Sequence, residues 1–136
     1  MKNFEVLMFL LLGIIGIFIS CEDTITNSIS NIDKIVFPES NIDYYKTIQP
    51  LFNIGCAIDG CHDVKTKASD LDLSSYESLM LRPLVVLVQD TISSRLIWYI
   101  DGRLISTQWH RPLNSNQVHG FKIWIMEGAT DTIKTK

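Results

Sequence analysis

An unbroken run of apolar residues and glycines, Val6 to Ile19, opens the pattern, and the chain then alternates between polar stretches and short apolar clusters. The run is short for crossing a bilayer and matches the apolar core of an export signal. An uncleaved membrane anchor is the rival reading of the same residues. From residue 22 to about 40, Glu, Asp, Thr, Ser and Asn dominate among scattered isoleucines, closing at Pro38-Glu39-Ser40. That composition predicts a tether, and its polar–apolar alternation also fits an edge strand.

Helical spacing begins at Asn41 to Ile48, with Ile48, Leu51 and Phe52 on one face. Pro50 lacks a backbone donor, so a break or fresh start is expected there. Asp63 to Asp70 reads as a polar loop. Ser74-Ser75-Tyr76-Glu77 has the form of a capping box ahead of a short helix, Tyr76 to Leu81, which Arg82-Pro83 ends. Leu84 to Val88 is apolar and rich in β-branched residues, which predicts a buried extended segment. Ser93 or Ser94 caps a helix through Leu96, Ile97 and Ile100, stopped by Asp101-Gly102. A last helix starts at Asn114 or Ser115, places Val118, Phe121, Trp124 and Ile125 on one face, and closes at Gly128. The expected fold class is mostly α.

Charge and cysteines narrow the picture. The chain has 136 residues and a net charge of −3, a balance that points to no nucleic-acid partner. Three cysteines are an odd number for an exported chain. The first, Cys21, ends Phe18-Ile19-Ser20-Cys21, which resembles the lipobox of bacterial lipoprotein signal peptides and implies lipidation of Cys21. Residues 1–20 are then a signal peptide, 21–40 a lipidated tether and 41–136 one small folded domain. The domain is expected in the bacterial cell envelope, lipid-anchored on the periplasmic side or at the outer membrane.

The remaining pair lies in Cys56-Ala57-Ile58-Asp59-Gly60-Cys61-His62. A cysteine pair with histidine directly after the second cysteine is how c-type haem is attached, thiols to the porphyrin edge and histidine to iron. The usual gap between the cysteines is two residues; here it is four. A Cys56–Cys61 disulfide and a zinc site completed by His62 and a distant residue remain alternatives. Only haem gives the histidine a reason for its position. A domain of this size buries a limited core and gains from a large apolar insert.

Several segments in order resemble a small c-type cytochrome domain of exported proteins in Bacteroidetes, Ignavibacteria and planctomycetes. Tyr44 to Phe52 resembles its opening helix, and Cys56 through Asp63 resembles its Cys…Gly-Cys-His-Asp. Leu71 to Tyr76 resembles the segment after the haem loop, Ser94-Arg95-Leu96 its Ser-x-Leu, and Trp124 to Ala129 its Trp-Ile-x-x-Gly-Ala ending. The resemblance covers about residues 44 to 130. It implies a single covalent haem c on Cys56 and Cys61, His62 as axial iron ligand, and single-electron transfer to a redox protein partner rather than enzymatic turnover.

The family carries Met-Pro before the last helix, and that methionine is the sixth iron ligand. This chain has Gln108-Trp109-His110-Arg111-Pro112-Leu113 there, so His110 or Arg111 stands in the methionine's place. His110 is the candidate sixth ligand, because imidazole is a good axial ligand; a loop histidine beside an open sixth position is the alternative. His119 is expected to face solvent, and Trp124 to pack in the core. The competing function is a haem-less exported lipoprotein, its cysteines joined, acting as a structural or binding module.

Overall fold

The computed structural model describes residues 31–104 and 113–132. The described part is mostly α-helical; no strand forms in it, only an isolated bridge between Leu87 and Asp90. Four α-helices carry the architecture: α1 (Gln49–Gly55), α2 (Tyr76–Leu81), α3 (Arg95–Ile100) and α4 (Ser115–Met126).

Before α1, residues Tyr44–Ile48 form a wide π turn, entered through Asp43, whose carboxylate accepts the Lys46 N–H. The Gln49 N–H reaches back to the Tyr44 carbonyl. Pro50 then sits in the first turn of α1, where a missing donor costs nothing, while its ring crowds the preceding turn and favours the wider winding. The fresh start expected at Pro50 is therefore a change of helix type. The helix buries Leu51 and Phe52 completely.

In α2 the bounds agree with the sequence, but the cap sits one residue later than expected. The Ser75 hydroxyl accepts the Ser78 N–H, while Ser74 turns away and bonds Asp72. Glu77 instead receives the Tyr45 hydroxyl at 3.3 Å.

The segment Leu84–Val88 is not the buried extended element expected. Val86 is buried, but Leu84 and Val88 are each more than half exposed, and Leu84 has φ 66°. The reason lies in its carbonyls. Leu84 O and Val85 O accept the Arg95 and Leu96 N–H groups at 3.0 and 2.9 Å, which are orphan donors at the start of α3. The fully buried Ser94 hydroxyl accepts the Leu87 N–H at 2.8 Å and faces the Leu87 and Asp90 carbonyls. The run thus caps a helix and has no sheet to join among the described residues.

A full capping box starts α4: the Asn114 side chain accepts the Gln117 N–H, and the Gln117 side chain accepts the Asn114 N–H. Gly128, at φ +110°, lets the chain turn out of the helix. Phe121, Trp124 and Ile125 are buried, and α4 packs against α3.

Residues ahead of position 41 also pack on the helices. Phe37 is only 2% exposed, with its ring 5.2 Å from that of Phe121. Its N–H donates to Asn116 Oδ1 at 2.8 Å, and its carbonyl accepts from Asn116 Nδ2 at 3.0 Å. Gln117 Nε2 donates to the Ile32 and Ile35 carbonyls, and the Glu127 carboxylate accepts the Asn41 and Ile42 N–H groups. Residues 32–42 are thus a strap running alongside α4 from its first turn to its end. A Cβ added at Gly120 would fall inside the Phe37 side chain, so this glycine permits the close approach.

Candidate functional site

The cysteine segment follows α1 directly. The Cys56 and Ala57 N–H groups both bond the Phe52 carbonyl, at 2.8 and 2.7 Å, which terminates the helix and turns the chain out. Gly60, at φ +82° with open space around it, makes the reversal, a conformation that glycine adopts without the clash a Cβ brings. The Cys61 N–H then bonds Ile58 O at 3.0 Å, and the His62 N–H returns to Cys56 O at 3.1 Å. The four intervening residues therefore form a closed loop whose ends meet.

Both cysteines are free thiols in this loop, and both are partly buried. Burial, with Cys61 nearby, pushes the Cys56 thiol up to about 12, so it rests protonated at neutral pH. Cys56 and Ala57 pack on the hydrophobic core.

His62 is oriented from behind. Its Nδ1 lies 3.2 Å from the Leu71 carbonyl, which can only accept, so the ring carries its proton on Nδ1. In that tautomer Nε2 is the acceptor nitrogen, and no hydrogen bond engages it among the described residues. A backbone carbonyl on the far nitrogen is the usual support of a metal-ligating histidine, fixing tautomer and ring direction. The His62 carbonyl is held as well, by the Leu73 N–H at 2.9 Å.

Leu71 lies just beyond a strained stretch. Lys67, Ser69 and Asp70 all have φ between 45° and 61°, the left-handed region that non-glycine residues rarely occupy. The polar loop expected from the sequence contains a 3₁₀ turn, Ala68–Asp70, and is bonded back through the Ala68 N–H to Cys61 O at 2.9 Å. Sequence reasoning missed Leu71 as part of the site. The contact uses a backbone carbonyl, which leaves no trace in residue type.

The structure thus gathers Cys56, Cys61 and His62 on one closed loop. His110 and Cys21 lie outside the described residues. His119 is exposed on α4, and Met126 is half exposed. Among the described residues no three of His, Cys, Asp or Glu are grouped to hold a metal ion, and no helix is long and apolar enough to cross a membrane. The donor set suits covalent haem: two unpaired thiols flank a loop, and the adjoining imidazole offers an unengaged nitrogen. Comparison with protein-family models, with curated proteins and with solved structures gives no match for this chain.

Proposed function

We propose that this chain is a monohaem c-type cytochrome of the bacterial cell envelope, tethered by a lipid on Cys21 and passing single electrons to a redox protein partner. The observation that carries the reading is the closure of the wide gap: His62 N–H on Cys56 O returns Cys61 and His62 beside Cys56. Four intervening residues then present two thiols and an imidazole from one compact loop, as two residues do in the common arrangement. When bound, haem supplies the one-electron couple, and the protein tunes it through axial ligand and burial.

The chain's own residues have separable tasks in this reading. Cys56 and Cys61 hold the porphyrin as thioethers. His62 offers Nε2 to iron while the Leu71 carbonyl keeps the proton on Nδ1 and enriches the ring. His110 is the proposed sixth ligand, and a second imidazole in place of methionine lowers the potential.

The test is a haem stain after denaturing electrophoresis of the full-length protein, with its intact mass. A stained band heavier than polypeptide plus lipid by one haem supports the reading. An unstained band at the mass of polypeptide plus lipid overturns it, and a mass lowered by two hydrogens assigns the thiols to a disulfide. Cys56→Ser and Cys61→Ser together should abolish the stain.

A further inference from the structure

We infer that Arg82, at the end of α2 and twenty residues from His62 in sequence, is a positioning residue for that histidine. Its Nη1 donates to the Asp70 carboxylate, and its Nη2 donates to the Ser69 carbonyl at 3.2 Å. The guanidinium fork therefore grips the two consecutive left-handed residues that immediately precede Leu71. Neither of them is glycine, so this backbone is unfavourable by itself and persists only where its surroundings over-determine it.

Other bonds hold the same loop from below. The Lys67 N–H meets Asp63 O at 3.1 Å, the Asp70 N–H meets Lys67 O at 2.6 Å, and Lys67 Nζ lies 3.4 Å from the Asp72 carboxylate. These act within the loop or close to its ends. Arg82 alone among the described residues ties residues 69–70 to a helix, and that helix is anchored in the core by the fully buried Leu79. The line of action runs from Leu79 through Arg82 to Ser69 and Asp70, and from there to the Leu71 carbonyl and His62 Nδ1. Arg82 touches neither the thiols nor the imidazole. Its side chain reaches the site by shaping a carbonyl's direction.

The geometry favours arginine over lysine. A planar fork serves a carboxylate and a neighbouring carbonyl together, whereas an ammonium is a single point charge. The purpose of the device rests on the haem reading, but the device itself can be tested without it.

The experiment follows the His62 Nδ1–H proton of the full-length protein by NMR, in the reduced state where haem is bound or directly where it is not. In the parent protein the proton is expected to be sharp and slow to exchange. Arg82→Gln should exchange it roughly tenfold faster, the change that a single hydrogen bond supports. Asp70→Asn, which removes only the ionic half of the grip, should move it the same way by less, and Arg82→Lys should recover part of the protection. Far-UV circular dichroism confirms that each variant is folded. Unchanged protection in folded Arg82→Gln overturns the inference. Should that variant not fold, unchanged protection in Asp70→Asn overturns it. The absence of a haem stain would sink the cytochrome reading and leave this result standing.

Discussion

Around Trp124 the chain holds itself together with rings. The Tyr44 ring centroid lies 5.6 Å from Trp124, 5.2 Å from Tyr76 and 6.4 Å from Phe52, and Phe52 lies 5.5 Å from Phe121. From Cys56 to Leu73 the same chain is held by backbone hydrogen bonds, one glycine reversal and three left-handed residues. In the first region Tyr44, Phe52, Phe121 and Trp124 are buried and Tyr76 partly so; in the second only Leu73, at its end, is buried. Aromatic pairs add about 0.5–1.5 kcal/mol each beyond their buried area, and they lose it only when the core opens. Loop hydrogen bonds contribute about 1 kcal/mol net each and can be altered singly. The division lets the site vary in shape while stability resides elsewhere.

The comparison breaks most severely at Trp124. Trp124→Ala removes the largest fully buried side chain among the described residues and the Nε1–H bond to Thr130 O at 2.8 Å, and should cost about 3–5 kcal/mol in a urea titration. Gly120→Ala comes next. Alanine is the better helix former, yet its methyl meets the Phe37 side chain with no room to move, so a net loss of about 1–3 kcal/mol is expected.

Gly60→Ala acts on the other region. Space is open there, and only the positive φ is lost, so stability should fall by about 1–2 kcal/mol. For the proposed cytochrome, a haem stain should fall with it, since attachment would depend on loop closure.

The pH dependence divides the same way. Burial raises the Cys56 thiol, so its neutral form is favoured by folding. That stability is complete below the ordinary thiol range, and in haem-free protein it should decline as pH climbs from about 9 toward 12. Iodoacetamide should label Cys56 slowly in folded protein and quickly in urea.

The smallest effect belongs to Asp90. The backbone N–H of Ser93 foremost, with that of Ile92, holds its carboxyl below the usual range. Its stabilisation is present above about pH 4 and is lost as pH falls through the lowered value. Asp90→Asn should lower neutral stability slightly, leave stability below the lowered value nearly unchanged, and so flatten the acid limb of a stability-against-pH curve.

What could be read beforehand follows the same line between rings and loops. Helix α4 announced itself through Asn114 or Ser115 as start, Val118, Phe121, Trp124 and Ile125 as face, and Gly128 as stop, although Val118 is only half-buried. Asp101-Gly102 marked the end of α3 equally well. Such signals are local, so sequence carries them. Leu84–Val88 misled because its apolar composition is equally at home in a strand or folded over a helix start. Only the Arg95 and Leu96 donors decide between the two. Phe37 was hidden in a polar stretch, since its partner lies 84 residues away. At the site, the Cys-Cys-His triplet was evident from residue type alone. The Leu71 carbonyl and the Arg82 grip were not, because backbone direction and long-range ion pairs follow no spacing rule.

The strap along α4 also sets a leash. With Phe37 keyed beside Gly120 and the Ile32 carbonyl held by Gln117, eleven residues separate Ile32 from Cys21, the proposed lipidation site. Eleven residues reach at most roughly 40 Å, about one bilayer with its headgroups. A tether free to residue 40 would reach roughly 70 Å. For the proposed lipid-anchored cytochrome, an electron partner would then have to come within one membrane's thickness of the anchor, which favours neighbours seated on the same lipid surface over proteins free in the surrounding fluid.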